Sequence, residues 1–113
     1  MSPERKLKVV FCWHMHQPEY RQMSSGDFAL PWTYLHALKD YTDMAWHLEQ
    51  VPGARAVVNF VPILLDQLAD YRQQFEHGNF RDPLLRALAM PDLGNLGPEA
   101  RKHLLSSCFR ANQ

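Results

Sequence analysis

Apolar positions fall into short stretches of different period along the chain. Leu7 to Trp13 (LKVVFCW) is β-branched and aromatic, with charge before it and His and Pro after it, and predicts a buried strand. Residues 14–30 lose all periodicity and contain a Ser-Ser-Gly-Asp cluster, predicting a long connection that leaves the strand's C-terminal end. From Pro31 to Gln50 the residues Tyr34, Leu38, Tyr41, Ala45 and Leu48 recur at helical spacing and predict one amphipathic helix, ended by Val51-Pro52-Gly53. Residues 54–61 (ARAVVNFV) predict a second strand. Pro62 suits the first turn of a following helix that runs to about His77, with a seam of Leu64, Leu68, Tyr71 and Phe75 and Gly78 as its left-handed stop. Asp82-Pro83 predicts a capped short helix to about Met90, and Gly97-Pro98 opens another that carries Ala100, Leu104 and Cys108 on one side. The last fifty residues contain no Val, Ile or Thr, so no further strand is expected there.

The order strand, helix, strand, helix, small helices is that of parallel strands joined by a crossover, an α/β arrangement. Two strands do not complete such a sheet, because parallel sheets are covered on both faces and average about five or six strands. The expectation is therefore a 113-residue portion, residues 1–113, of a larger α/β domain whose remaining strands lie downstream in the same polypeptide. A partner chain completing the sheet is the less simple alternative.

Composition narrows the function. Hydrophobic residues make up 46% and twelve basic side chains balance twelve acidic ones, so the chain is a soluble globular type with no long-range attraction for nucleic acid or an anionic membrane. The apolar run Val9 to Trp13 is too short for a signal-peptide core or a membrane span, and a cytoplasmic location is the expectation. Cys12 and Cys108 form no framework and are expected to be reduced, buried thiols.

The candidate chemistry begins where the first strand ends, at His14-Met15-His16-Gln17-Pro18. In extended backbone, residues two apart share a face, so both imidazoles can project together from the C-terminal end of the strand, where α/β sheets and barrels build their sites. Pro18 favours an extended Gln17 and prolongs that geometry. A His-x-His pair is by itself weak evidence, since one solvated and one core histidine would give the same letters.

The segment WHMHQPEY resembles the first sequence region of glycoside hydrolase family 57. PWTYLHALKDYTDMAWHLEQ, VVNFVPILLDQL and KHLLSSCFRAN are similar to that family's first helix, second strand with its helix, and next helix, so the resemblance spans nearly the whole chain. It implies the N-terminal βαβα portion of an incomplete (β/α)7 barrel acting on α-glucans with retention of configuration. It also implies that His16, Gln17 and His14 line the sugar cleft without cleaving the bond. Imidazoles and an amide donate and accept in fixed directions, as sugar hydroxyls require. The resemblance places the catalytic glutamate and aspartate at the ends of later strands, so no catalytic residue is assigned here. A retaining enzyme needs two carboxyl groups about 5 to 5.5 Å apart, and Glu19, close to the triplet, is read as a rim residue. Trp32, Tyr20 and Trp13 are candidate stacking platforms, with Trp32 the first choice; Asn59, polar within an apolar strand, faces the cleft or satisfies a backbone group.

Packing or solvated faces account for His36, His47, His77 and His103, and for Asp66 and Asp70, four apart on one helix face. No cofactor and no metal is implied. Two rivals remain. A metal-dependent hydrolase or deacetylase would use His14 and His16 as zinc ligands, but needs a third ligand, and Gln17 and Pro18 do not supply one. A non-catalytic module would bind a glucan or a protein without cleaving anything.

Overall fold

The computed structural model describes residues 6–110. Strand β1 (Cys12–Met15) leads through the long connection into α1 (Trp32–His36), a π turn (Ala37–Tyr41) and α2 (Thr42–Gln50), then into β2 (Val57–Phe60), α3 (Pro62–His77), α4 (Pro83–Leu88), a 3-10 turn (Leu93–Asn95) and α5 (Pro98–Arg110). The two strands are parallel, with Cys12 opposite Val57, Trp13 opposite Val58, His14 opposite Asn59 and Met15 opposite Phe60. The fold is thus mixed α/β with a two-stranded parallel sheet, in the expected element order.

The strands differ from the expectation in extent. β1 starts at Cys12, not Leu7, and runs through His14 to Met15, while β2 occupies only the middle of 54–61. A strand is as long as the partner it finds: the ladder opens with Val57 N–H donating to the Phe11 carbonyl at 2.9 Å and closes with Val61 N–H donating to Met15 at 3.2 Å. Upstream of it Leu7, Val9, Val10 and Phe11 are exposed. The expected buried strand is therefore an exposed approach followed by a short rung, of which only Met15 is fully buried.

The core lies elsewhere. Phe28, Tyr71 and Leu85 form it, with Tyr20, Tyr34 and Phe80 packed around them, so the centre of burial sits among the connection, α3 and α4. α1 packs against α3. The connection is not shapeless: Arg21 and Phe28 form an antiparallel bridge, and Gly26, at φ +73°, turns the chain where a Cβ would come within 2.6 Å of Arg81 Nη1. The helical seam is also different. Along α3 the buried positions are Leu64, Gln67, Asp70, Tyr71 and Gln74, whereas Phe75 is exposed.

α3 begins at Pro62 and ends on left-handed Gly78 (φ +64°), both as expected. Asp82 caps α4, accepting from Leu84 N–H at 2.8 Å and from the Tyr71 hydroxyl at 2.5 Å. Burial, then the Asp82 carboxylate, pushes the Tyr71 hydroxyl well above its ordinary pKa, so it stays a donor. α4 stops at Leu88, slightly before the expected Met90. Cys12 and Cys108 are both exposed, correcting the expectation of buried thiols: Cys12 sits on the uncovered sheet, and α5 contributes no buried residue.

Helices leave the sheet largely uncovered. Val57, Val58 and Phe60 are exposed, and the chain presents 8900 Å² of accessible surface. A compact monomer of 13.2 kDa would present about 6,400 Å². The radius of gyration is 19.4 Å, against about 13 Å for a compact chain of this length.

Candidate functional site at the strand ends

Alternation along β1 puts Cys12 and His14 on one face and Trp13 and Met15 on the other. His14 faces Asn59 across the ladder, and its Nδ1 lies 2.7 Å from the Asn59 Oδ1. An amide oxygen only accepts, so the proton sits on His14 Nδ1 and leaves Nε2 for another partner. His16 follows just past the strand and stacks on His14, ring centroids 5.7 Å apart and planes 11° from parallel. His14, His16 and Asn59 are all exposed on this open side. Trp13 is half-buried on the opposite face, away from them.

Gln17 leaves this ridge and enters the packed body. Its Oε1 accepts from the Tyr20 hydroxyl at 2.9 Å, and its Nε2 donates to the Tyr41 hydroxyl oxygen at 3.2 Å. Tyr41 gets there through the π turn. A ring closed five residues on makes the following positions lag behind a regular helix, so the expected seam breaks: Leu38 is exposed, while half-buried Tyr41 meets Gln17. Burial, with Tyr41 beside it, raises the Tyr20 pKa, so its hydroxyl remains protonated.

The segment after the triplet is fixed by Gln67 of α3, which is fully buried. Its Nε2 donates to the carbonyl oxygens of Pro18 at 2.8 Å and Ile63 at 3.4 Å; its Oε1 accepts from the Tyr20 N–H at 3.4 Å and the Thr33 hydroxyl at 3.2 Å. One amide thus ties the triplet's exit, the start of α1 and the body of α3. Trp32, beside Thr33, is half-buried and lines a cavity of about 630 Å³ with Tyr20, Leu35, His36 and Asp40. It shares that cavity with Tyr20; His14, His16 and Asn59 do not line it.

The family model for glycosyl hydrolase family 57 matches residues 10–106. The chain belongs to glycosyl hydrolase family 57. No curated protein and no solved structure matches it. In this family 57 chain the five sequence-predicted residues fall into three linked places: His14, His16 and Asn59 on the open sheet face, Gln17 at the junction, and Trp32 in the cavity, reached through Tyr20.

Glu19 is engaged. Both its oxygens meet the Arg21 guanidinium, at 2.8 and 2.6 Å, and the Arg21 N–H donates to it at 2.9 Å. The Arg21 side-chain hydrogen bonds, opposed by partial burial and aided by the backbone bond, hold its carboxyl below the usual range, a poor setting for a proton donor. Arg21 also binds Asp66 and Asp70, and Asp70 binds Arg81. Asp66 is exposed, as the solvated-face reading expects, whereas Asp70 departs from it: Asp70 is buried in an ion network that clamps the connection to α3. Burial raises the Asp70 carboxyl, but hydrogen bonds from Arg81, Gln74 and Arg21 outweigh it and leave the group lowered. His36 pairs with Asp40 one turn on.

The junction that sequence reasoning missed is Tyr41, Gln67 and Arg21, which tie the triplet and its connection to the helices. Tyr41 was hidden by its helical spacing, which fits a core seam. Gln67 did carry a signal, a polar residue three positions after Leu64 and four before Tyr71 on the buried stripe. Among the described residues no three His, Cys, Asp or Glu side chains gather in a way that could hold a metal ion, and no helix is long and apolar enough to cross a membrane.

Proposed function

We propose that these residues form the N-terminal βαβα portion of an incomplete (β/α)7 barrel in a retaining, α-glucan-active hydrolase or transglycosidase. They supply cleft-lining groups, and the catalytic glutamate and aspartate come from later strands of the same polypeptide. The observation that carries the reading is the exposed ridge of His14, His16 and Asn59 on one face at the C-terminal ends of two parallel strands. In a closed barrel such a face turns inward. The surplus accessible surface and the bare strands have the same sense, since further strands would cover them.

Each polar group then has a task. His14, with its proton committed to Asn59, offers Nε2 to a sugar hydroxyl. His16 stacks beside it, its ring nitrogens without a partner among the described residues and open to hydroxyl contacts, Gln17 organises the hydroxyls around it, and Trp32 with Tyr20 offers aromatic surface to a sugar face in the adjoining cavity. Glu19, neutralised by Arg21, shapes the rim.

Assay of the complete polypeptide on maltoheptaose tests this. It is expected to cleave or transfer glucosyl units with retention, and residues 1–113 alone are expected to release none. Release of sugar by residues 1–113 alone would overturn the reading.

A further inference from the structure

We propose that Tyr41 is a substrate-binding residue whose hydroxyl, oriented by Gln17, donates a hydrogen bond to an α-glucan hydroxyl. The proposal rests on the glucan-cleft reading above and follows from the direction of two hydrogen bonds. Tyr20 donates its hydroxyl proton to Gln17 Oε1, so that end of the amide accepts. The other end is then Nε2, and it donates to the Tyr41 oxygen. A phenol that already accepts on its oxygen keeps its own proton, and among the described residues no acceptor takes that proton. Tyr41 is therefore a donor aimed by its neighbour, at the boundary between the packed body and the triplet that carries the imidazoles.

Backbone geometry supports the assignment. The π turn Ala37–Tyr41 interrupts an otherwise continuous helix, and Thr42 Oγ1 donates to the Ala37 carbonyl five residues back at 3.0 Å. Its result is to take Tyr41 off the regular seam and bring it to Gln17. Gln17 thereby becomes chiefly an orienting group, with the tyrosine as a reader of the sugar.

The test uses the complete polypeptide and maltoheptaose. Tyr41→Phe keeps the ring and removes only the donor; KM is expected to rise about tenfold, the worth of one well-placed hydrogen bond, with kcat little changed. Gln17→Glu reverses the polarity, because a carboxylate accepts at both ends and draws the Tyr41 proton to itself. It keeps the local bonds yet is expected to raise KM to a similar extent, and adding Tyr41→Phe to it should weaken binding little further. Tyr20→Phe, which leaves the Gln17 to Tyr41 bond intact, should cost less. An unchanged KM for folded Tyr41→Phe, a larger loss for Tyr20→Phe, or full additivity of Gln17→Glu with Tyr41→Phe would overturn the proposal. Failure of the unaltered protein to bind maltoheptaose would instead overturn the cleft reading beneath it.

Discussion

The sheet end and the helical body are held by different means. In the body, Phe28, Tyr71 and Leu85 exclude water, and the polar groups that accompany them are paired: Asp82 with Tyr71 and the α4 backbone, Gln67 with four partners, Asp70 with two arginines. The sheet has a four-rung ladder, an imidazole pair and little else, with Val57 and Phe60 exposed. The site residues straddle the two. Gln17 and Trp32 are anchored in the body, while His14, His16 and Asn59 stand on the bare ribbon. Two of the five candidate residues are thus fixed by the packed body, and the other three only by one another on the exposed ribbon.

The strongest way to break this comparison is Phe28→Ala. Removing a fully buried ring from the body should destabilise it by about 3 to 5 kcal/mol, read as a lower urea midpoint; a loss below about 1 kcal/mol would mean that the body is not the seat of stability. Gln67→Glu comes next. It removes both N–H donors and leaves the Pro18 carbonyl unpaired in a buried place, at an expected cost of about 2 to 3 kcal/mol, and it should loosen the triplet without unravelling β1 and β2.

Acid sharpens the contrast further. Glu19 and Asp70 have folded-state pKa values below their ordinary 4.5 and 3.8, so their contribution is complete above those values. It is lost as pH falls through the lowered folded values. A urea midpoint that declines below about pH 4.5 in the parent and less so in Asp70→Asn would place that sensitivity in the clamp; equal declines would remove it from there. The smallest effect is expected on the ribbon. Val57→Thr should shift stability by no more than about 0.5 kcal/mol, as measured by the same denaturation.

What was legible in the sequence follows the same division. Pro62 and Gly78 mark the ends of α3 because one lacks a useless donor and the other tolerates a left-handed turn, and Asp82-Pro83 marks α4 for like reasons. These are local effects, visible in two or three residues. The strand limits were not local: Leu7, Val9 and Val10 have strand-forming side chains, but the ladder with β2 opens only at the Phe11 carbonyl. Burial of the cysteines was inferred from a general preference of that side chain, and Cys12 lies on a face with nothing over it. The π turn left no mark in the spacing of Tyr34, Leu38 and Tyr41, which fits a regular helix equally well. For the candidate site, the sequence points to His14, His16 and Gln17 by their place at the end of a strand and to Asn59 by its polarity, and the structure puts His14, within β1, beside Asn59. The links through Tyr41 and Gln67 were not, because they join residues 24 and 49 positions apart.

The four bonds of Gln67 also limit how this sequence can drift. Any single replacement there strands at least one of Pro18, Tyr20, Thr33 or Ile63, and a compensating change would have to arise in the backbone of the loop as well as at Thr33. Variation should therefore reach this position only together with a rebuilt loop, never as an isolated step.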